Sequence, residues 1–422
     1  MDIFHLQLRR ILRAPFLLGL LAVFLAFDLY LISTLSGMQR EINLINDVAG
    51  QTGVRIDANF ERKFKPIVAA HTNDLGTLYR QKTGKAPADS KTMLEGLAQE
   101  YYSLTGEQQG RFRDDSAIIQ LDGAVKGRDV FYERYDVIKD GQASLKQSKV
   151  TGAPAAFLLH SCAELQDRVV QIKADGEKDT LFFPGTVYQV HKFLYDTLFR
   201  TIVMESAILG ALVMFFAVNY EFTHGTQSLA YTSRRGRRLP ADQFRAAMLI
   251  GMLVPMFLLA VTLSIFFASY HFSNVWGSFV SSAMNAEPHG GQVIPYVTFW
   301  PMTMWQYLWA HIGLELVVQA VFCLLAFAVA IFCRNNYVGF LGYALGWMLT
   351  VNIPSVLPWN TMVPLILWAN PVIAWDVCVD WLTQIGVLEA YPWYHLLMFL
   401  LGATTAVVAG FFGIRRFRHA DL

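Results

Sequence analysis

The sequence predicts a mainly α-helical membrane protein. It should have six transmembrane helices, short re-entrant outer helices, and a large, mostly helical extracytoplasmic domain between the first and second spans. Three observations lead there. The 422 residues are 54% hydrophobic with mean hydropathy +0.35, too apolar for one soluble domain of ordinary make-up. Apolar residues gather in runs of about 20, the helix length that crosses a bilayer core. All twelve lysines fall between Lys63 and Lys192, so a hydrated, charge-mixed segment is spliced into a chain that elsewhere uses only arginine as its permanent cation. The net charge of +1 gives no general pull toward nucleic acid.

Residues 1–36 read as a cytoplasmic N-terminus and first span. Arg9, Arg10 and Arg13 precede an apolar run over 14–36. The run outlasts a signal peptide and lacks a clear small-x-small cleavage site, so it is an uncleaved helix opened by Pro15. The domain over 37–198 follows. Between 37 and 199 there are 21 Lys/Arg and 22 Asp/Glu. Apolar spacing predicts helices over 59–81, after a cap at Asp89 or Ser90, and over 155–172. Short strands are expected at 129–138 and 186–190. A segment of this length can bury its own core.

Residues 199–422 supply the other spans, at 199–219, 246–269, 305–332, 337–356 and 393–414. The fifth ends in Asn352-Ile353-Pro354 and Pro358, which stop a helix. The outer segment 357–392 contains two apolar pieces, 362–369 and 372–387, split by Asn370-Pro371. They read as re-entrant helices, whose backbone must be satisfied by protein or water.

Arginine sets the orientation. It occurs at the N-terminus, at Arg234, Arg235, Arg237, Arg238 and Arg245, at Arg334, and at Arg415, Arg416 and Arg418. The loops 270–304 and 357–392 contain neither Lys nor Arg. Six spans with both termini cytoplasmic satisfy the positive-inside rule at every short loop. All ten tryptophans lie from Trp276 to Trp393, as in an aromatic belt at the outer interface. Cys162, Cys323, Cys333 and Cys378 form no CxxC and no zinc spacing. A Cys162–Cys378 bridge is left open.

The basic loop 221–245 carries Glu221-x-x-x-Gly225-Thr226-x-x-Leu229-x-x-x-Ser233-Arg234-Arg235, then Leu239 and Arg245. With this topology, it resembles the coupling helix of permease subunits of type-two ABC exporters, including peptide and lantibiotic exporters. The family often has Lys where this chain has Arg245. The resemblance covers the membrane part and not 37–199. It implies that Glu221, Gly225, Thr226, Leu229, Ser233, Arg234 and Arg235 dock an ATP-binding cassette subunit. It also implies a second permease chain, identical or related, in a plasma or inner membrane. Glu221 is expected at a helix start, where the dipole favours an anion. The chain has no GxxxxGK[ST] loop, so ATP and magnesium belong on the partner. No cofactor or metal is expected in this chain, and it is read as a transport subunit, not an enzyme.

Within the fourth span His311, Glu315 and Gln319 recur every fourth residue and form one polar stripe. Intramembrane ionisable groups usually face a cavity or each other, so the stripe is a candidate substrate pathway, set against interhelical packing. Asp28 and Glu205 read as interfacial and solvated, and Asp376 and Asp380 as a solvated rim. The expected function is export of a peptide or amphipathic small molecule. One alternative is a sensor or resistance subunit whose outer domain binds an antimicrobial peptide or lipid-linked ligand. Another is an intramembrane enzyme using His311 and Glu315, although His311-x-x-x-Glu315 is not HExxH.

Overall fold

A computed structural model describes residues 3–232, 236–289, 292–384, 388 and 391–419. The chain is 78% helical. A short amphipathic helix, α1 (Ile3–Leu12), buries Gln7 and Ile11. The chain breaks at Ala14, and Pro15 occupies the first turn of α2 (Pro15–Thr34), where its missing N–H costs nothing.

A helical head follows: α3 (Gln39–Thr52), α4 (Ala58–Thr83), α5 (Ser90–Gln99), α6 (Gly106–Arg134), α7 (Val137–Gln147) and α8 (Ala153–Asp175). Local signals set their starts. Asp57, Asp89 and Asp136 each accept a backbone N–H as N-caps, and Thr105 with Gln108 forms a capping box. The strands expected at 129–138 and 186–190 are absent. The first stretch is the end of α6 and the start of α7, joined through the Asp136 cap. The second lies in helical turns at Gly185–Tyr188 and from Val190. The described strands are instead β1 (Ala286–His289) and β2 (Gln292–Pro295), an antiparallel pair with Glu287 opposite Ile294.

Five helices are long and apolar enough to cross a membrane: Pro15–Thr52, Val190–Thr223, Leu239–Ser269, Met304–Ala330 and Tyr394–Phe417. These suit a membrane protein. The second, α9 (Val190–Thr223), begins earlier than the expected residue 199 and contains a π-helical stretch, Phe193–Phe199. It is followed by the short α10 (Gln227–Thr232), then α11 (Leu239–Ser269) and α12 (Met304–Ala330). The expected fifth span is α13 (Asn336–Val356). It is uncharged, passes through Pro354 and exposes Leu341, Leu345, Met348 and Leu349. Its most apolar 18-residue stretch is less apolar than those of the other five.

The 357–392 segment forms α14 (Val363–Trp368), α15 (Pro371–Asp376) and a 3-10 turn at Cys378–Asp380, before α16 (Tyr394–His419). The second expected piece therefore stops at 376; 385–387 lie outside the described residues. This segment folds back onto the bundle and bonds there, as irregular backbone among apolar helices must. Trp381 is fully buried and donates to Ala374 O at 2.8 Å, while Gln384 N donates to Val297 O at 2.7 Å.

The largest core cluster runs without interruption from Ile42, Phe60 and Ile118 in the head to Phe183, Phe266 and Tyr307 beneath it. The head thus shares its core with the helices below, and only smaller clusters around Leu75 and Leu97 and around Tyr132 and Val169 stand apart. All four cysteines are free, so Cys162 and Cys378 are not bridged.

Candidate functional site

Two places gather the sequence-selected residues. At the arginine-rich end, α9 closes on Glu221, which is buried. Glu221 does not start a helix as expected. It lies in the last turn of α9, where the helix dipole disfavours an anion. The chain supplies a cation there: Arg10 Nη1 of α1 donates to Glu221 at 2.8 Å, and its guanidinium lies 3.7 Å from the Tyr220 ring centroid. The Thr226 hydroxyl donates to the other carboxylate oxygen. Gly225 sits between them at φ +67°, a left-handed geometry that suits glycine and turns the chain into α10. Leu229 on α10 is 79% exposed. Ser233, Arg234 and Arg235 lie outside the described residues. Arg10 was invisible to a local motif, because its partner is 211 positions away.

The second place is a buried polar column. His311, Glu315 and Gln319 are 0%, 0% and 1% exposed, so the stripe faces inward. Gln319 Nε2 donates to Ser206 O and Gly251 O, each at 2.9 Å, joining α12 to α9 and α11. Gly210 makes this possible, since any Cβ there would collide with the Gln319 amide. The Glu315 carboxylate has Ser206 beside it and forms no well-aligned hydrogen bond. His311 is ringed by Tyr195, Phe199, Tyr307 and Trp381, with centroids at 4.7, 5.4, 4.3 and 5.7 Å. Tyr195 and Phe199 both come from the π-helical stretch, and such stretches often accompany functional sites.

The column continues toward the head. His191 lies 4.6 Å from Tyr195, 5.5 Å from Tyr307 and 3.9 Å from Tyr296, centroid to centroid. Beyond Tyr296, Glu287 on β1 is buried with neither carboxylate oxygen partnered, and burial pushes its carboxyl up to about 7 against the pull of Lys192. Sequence reasoning passed over Tyr307, His191, Tyr195 and Glu287. Tyr307 was within reach, because it extends the four-residue spacing of the stripe by one step. The others come from elements whose meeting no local pattern encodes.

Asp28 and Glu205 are buried, at 1% and 4% exposure, rather than solvated. Packing of α11 against α2 covers Asp28, whose carboxylate accepts from Thr262 at 2.6 Å. Both Glu205 oxygens lack partners. Asp376 is not a free rim residue either, for Arg200 Nη2 donates to it at 3.0 Å. Among the described residues, no group of His, Cys, Asp and Glu is arranged to hold a metal ion.

The head holds a polar cleft of about 390 Å³ between α4 and α6, lined by His71, Asp74, Arg111, Asp114 and Asp115 among others. His71 Nδ1 lies 2.7 Å from Asp115 Oδ1, and this bond holds the imidazole above its ordinary value, while burial pushes the Asp115 carboxyl up.

Comparison of the chain with family models, curated proteins and solved structures finds no match.

Proposed function

We propose that this chain is the transmembrane subunit of an ATP-driven exporter of the ABC class, moving a peptide or amphipathic small molecule across the cytoplasmic membrane. In this reading α13 is a sixth span. Both termini and 224–238 are cytoplasmic, and the head is outside. A second permease chain completes the pathway, and separate subunits bind ATP and magnesium.

One observation carries the reading: the clasp of Arg10, Glu221 and Thr226 around the start of α10. It ties the N-terminal helix, the end of α9 and the exposed short helix into one unit. Because α1 also packs on α11, a push on α10 reaches three helices at once. A basic loop that merely obeyed the positive-inside rule would need no such tie.

The test uses the complete complex purified from native membranes with its co-purifying ATPase. Glu221→Arg sets two guanidiniums against each other, and Gly225→Trp forces a bulky side chain into left-handed backbone. Both proteins should insert, because the loop keeps its arginines. Both should lose ATPase co-purification or the stimulation of hydrolysis by the membrane subunit. The swap Arg10→Glu with Glu221→Arg should recover part of it. Normal coupling in both single variants would sink the proposal.

A further inference from the structure

The arginine-rich end of the bundle holds a small cavity that the clasp of Arg10 and Glu221 does not use. It measures about 70 Å³ and is walled by Phe222 near the end of α9, Ile331 and Phe332 just past α12, Arg334 before α13, and Gly413 and Arg416 on α16. Gly413 lets α16 approach the end of α12, since a Cβ there would collide with the Ile331 side chain. Asn335 caps α13 by accepting from Tyr337 N and Val338 N at 2.9 and 3.1 Å, which holds the turn that carries Arg334.

Two guanidiniums border this one space. Arg334 lies over the Phe222 ring at 5.8 Å from its centroid, and Arg416 over the Phe332 ring at 6.0 Å. No carboxylate lines the cavity, and neither arginine forms an ion pair with a described residue. At the same end, Arg10 is matched by Glu221 and Arg245 by Asp242. A cation near a helix C-terminus complements the dipole, which accounts for either arginine alone but not for two around one cavity. The surface beside them is apolar. Phe332, Val408 and Phe412 are exposed, and Val408, Phe412 and Arg416 follow at four-residue spacing on one face of α16. On a helix long and apolar enough to cross a membrane, hydrocarbon covers Val408 and Phe412, and a headgroup comes one turn later, at Arg416.

We propose that Arg334 and Arg416 form a binding site for the phosphate of an anionic phospholipid. The acyl chain lies along α16 over Phe412, and the phosphate enters the cavity between the guanidiniums. Arginine suits this task, because its planar fork of N–H donors matches phosphate and is only weakly hydrated. Basic pockets between spanning helices select anionic headgroups in the same way. A zwitterionic headgroup carries its own cation, which competes for the phosphate and is repelled by the arginines. The site needs a bilayer but no ATP-binding subunit, so it stands or falls separately from the exporter reading.

The test is native mass spectrometry of the full-length chain released from nanodiscs of mixed phosphatidylcholine and phosphatidylglycerol. The wild type should retain phosphatidylglycerol in preference to phosphatidylcholine. Arg334→Gln and Arg416→Gln should each lower that retention about tenfold, the effect of losing one charge-assisted bond. Arg416→Lys should keep part of it, as a point charge without the fork. Arg415→Gln is the control. It removes the same charge from the neighbouring position of α16, one turn beyond the exposed Phe411, but Arg415 does not line the cavity. Equal losses in Arg415→Gln and Arg416→Gln would reduce the arginines to a diffuse positive belt and overturn the site. A wild type without preference between the two lipids would do the same. Inorganic phosphate decides the source of the anion. In excess over lipid it should leave retention nearly unchanged, because it lacks the apolar chain. Full displacement would assign the cavity to a free anion and sink the lipid site.

Discussion

Arg168 and Glu177 in the head are as hidden as Glu315 in the bundle, with side chains 5% and 1% exposed. Their surroundings are opposite. Arg168 pairs with Glu177 at 2.8 Å and donates through Nε to Thr298 O, and Ser281 donates to the Glu177 carboxylate. Arg113 likewise grips Glu41, and Arg40 grips Asp114 with two bonds. The head uses charge as stitching at Glu177, Glu41 and Asp114, each gripped by an arginine, although Asp115 Oδ2 is buried without a hydrogen-bond partner. The bundle leaves Glu205 and Glu315 without such partners. Evenly satisfied charge resists change, whereas an unpaired buried carboxyl is costly to ionise.

The sharpest way to break this contrast is to remove one head partner. Arg168→Met should strand Glu177 in the join between α8 and the loop that carries Ser281 and Thr298. Removing one partner of a buried pair costs about 3–5 kcal/mol. Thermal unfolding and limited proteolysis should show the head loosening from the helices beneath it. Replacing both partners, Arg168→Met with Glu177→Leu, should recover much of the loss. By contrast, Glu315→Gln should leave stability nearly unchanged, since no hydrogen bond to Glu315 is lost. Equal destabilisation by Arg168→Met and Glu315→Gln would erase the distinction.

A smaller effect is expected inside the bundle, where its helices meet through small residues. Gly210 lets the Gln319 amide span α9 and α11, and Gly251 leaves room for the Cys323 sulfur. Gly210→Val should push the Gln319 side chain off both carbonyls. Overpacking of this kind costs about 1–3 kcal/mol, read as a lower melting temperature in detergent. An unchanged melting temperature would show that the crossing has slack and that the column is not rigidly held.

These places mark how far the sequence was legible. Long apolar runs announced five helices by length and composition, and the Asp89 and Thr105 side chains mark helix starts through chemistry that acts within three residues. The stripe of His311, Glu315 and Gln319 showed its inward face through spacing alone. Asp28 was misread as solvated because its cover, Thr262, is 234 positions away. Glu221 was placed at the wrong end of a helix because the motif does not say where the preceding span stops. The π-helical stretch that turns Tyr195 and Phe199 onto His311 has no compositional signature. Local capping and hydropathy are written residue by residue, whereas the site is made by long-range meetings that only packing decides.

The smallest expected effect sharpens the comparison through pH. His71 is the head's counterpart to His311, but it is about a quarter exposed and bonded directly to Asp115 at 2.7 Å. The bond to Asp115 raises its folded value above the ordinary 6.5, with burial opposing and with Asp114 and Asp74 adding to the rise. A raised value means that the folded state binds the proton more tightly. The stabilisation is therefore complete below 6.5 and is lost as pH climbs through the raised folded value. Asp115, raised by burial, is also stabilising in its protonated form, but that contribution lies in the acid range above 3.8. Solvent screening limits the His71 term to about 1 kcal/mol. Hydrogen exchange of the α4 and α6 amides, corrected for the intrinsic pH dependence of exchange, should show weaker protection at pH 8 than at pH 6. His71→Gln should flatten that difference. A slope that survives the substitution would assign it to another group, and a slope of opposite sign would mean that the His71–Asp115 bond does not hold the proton.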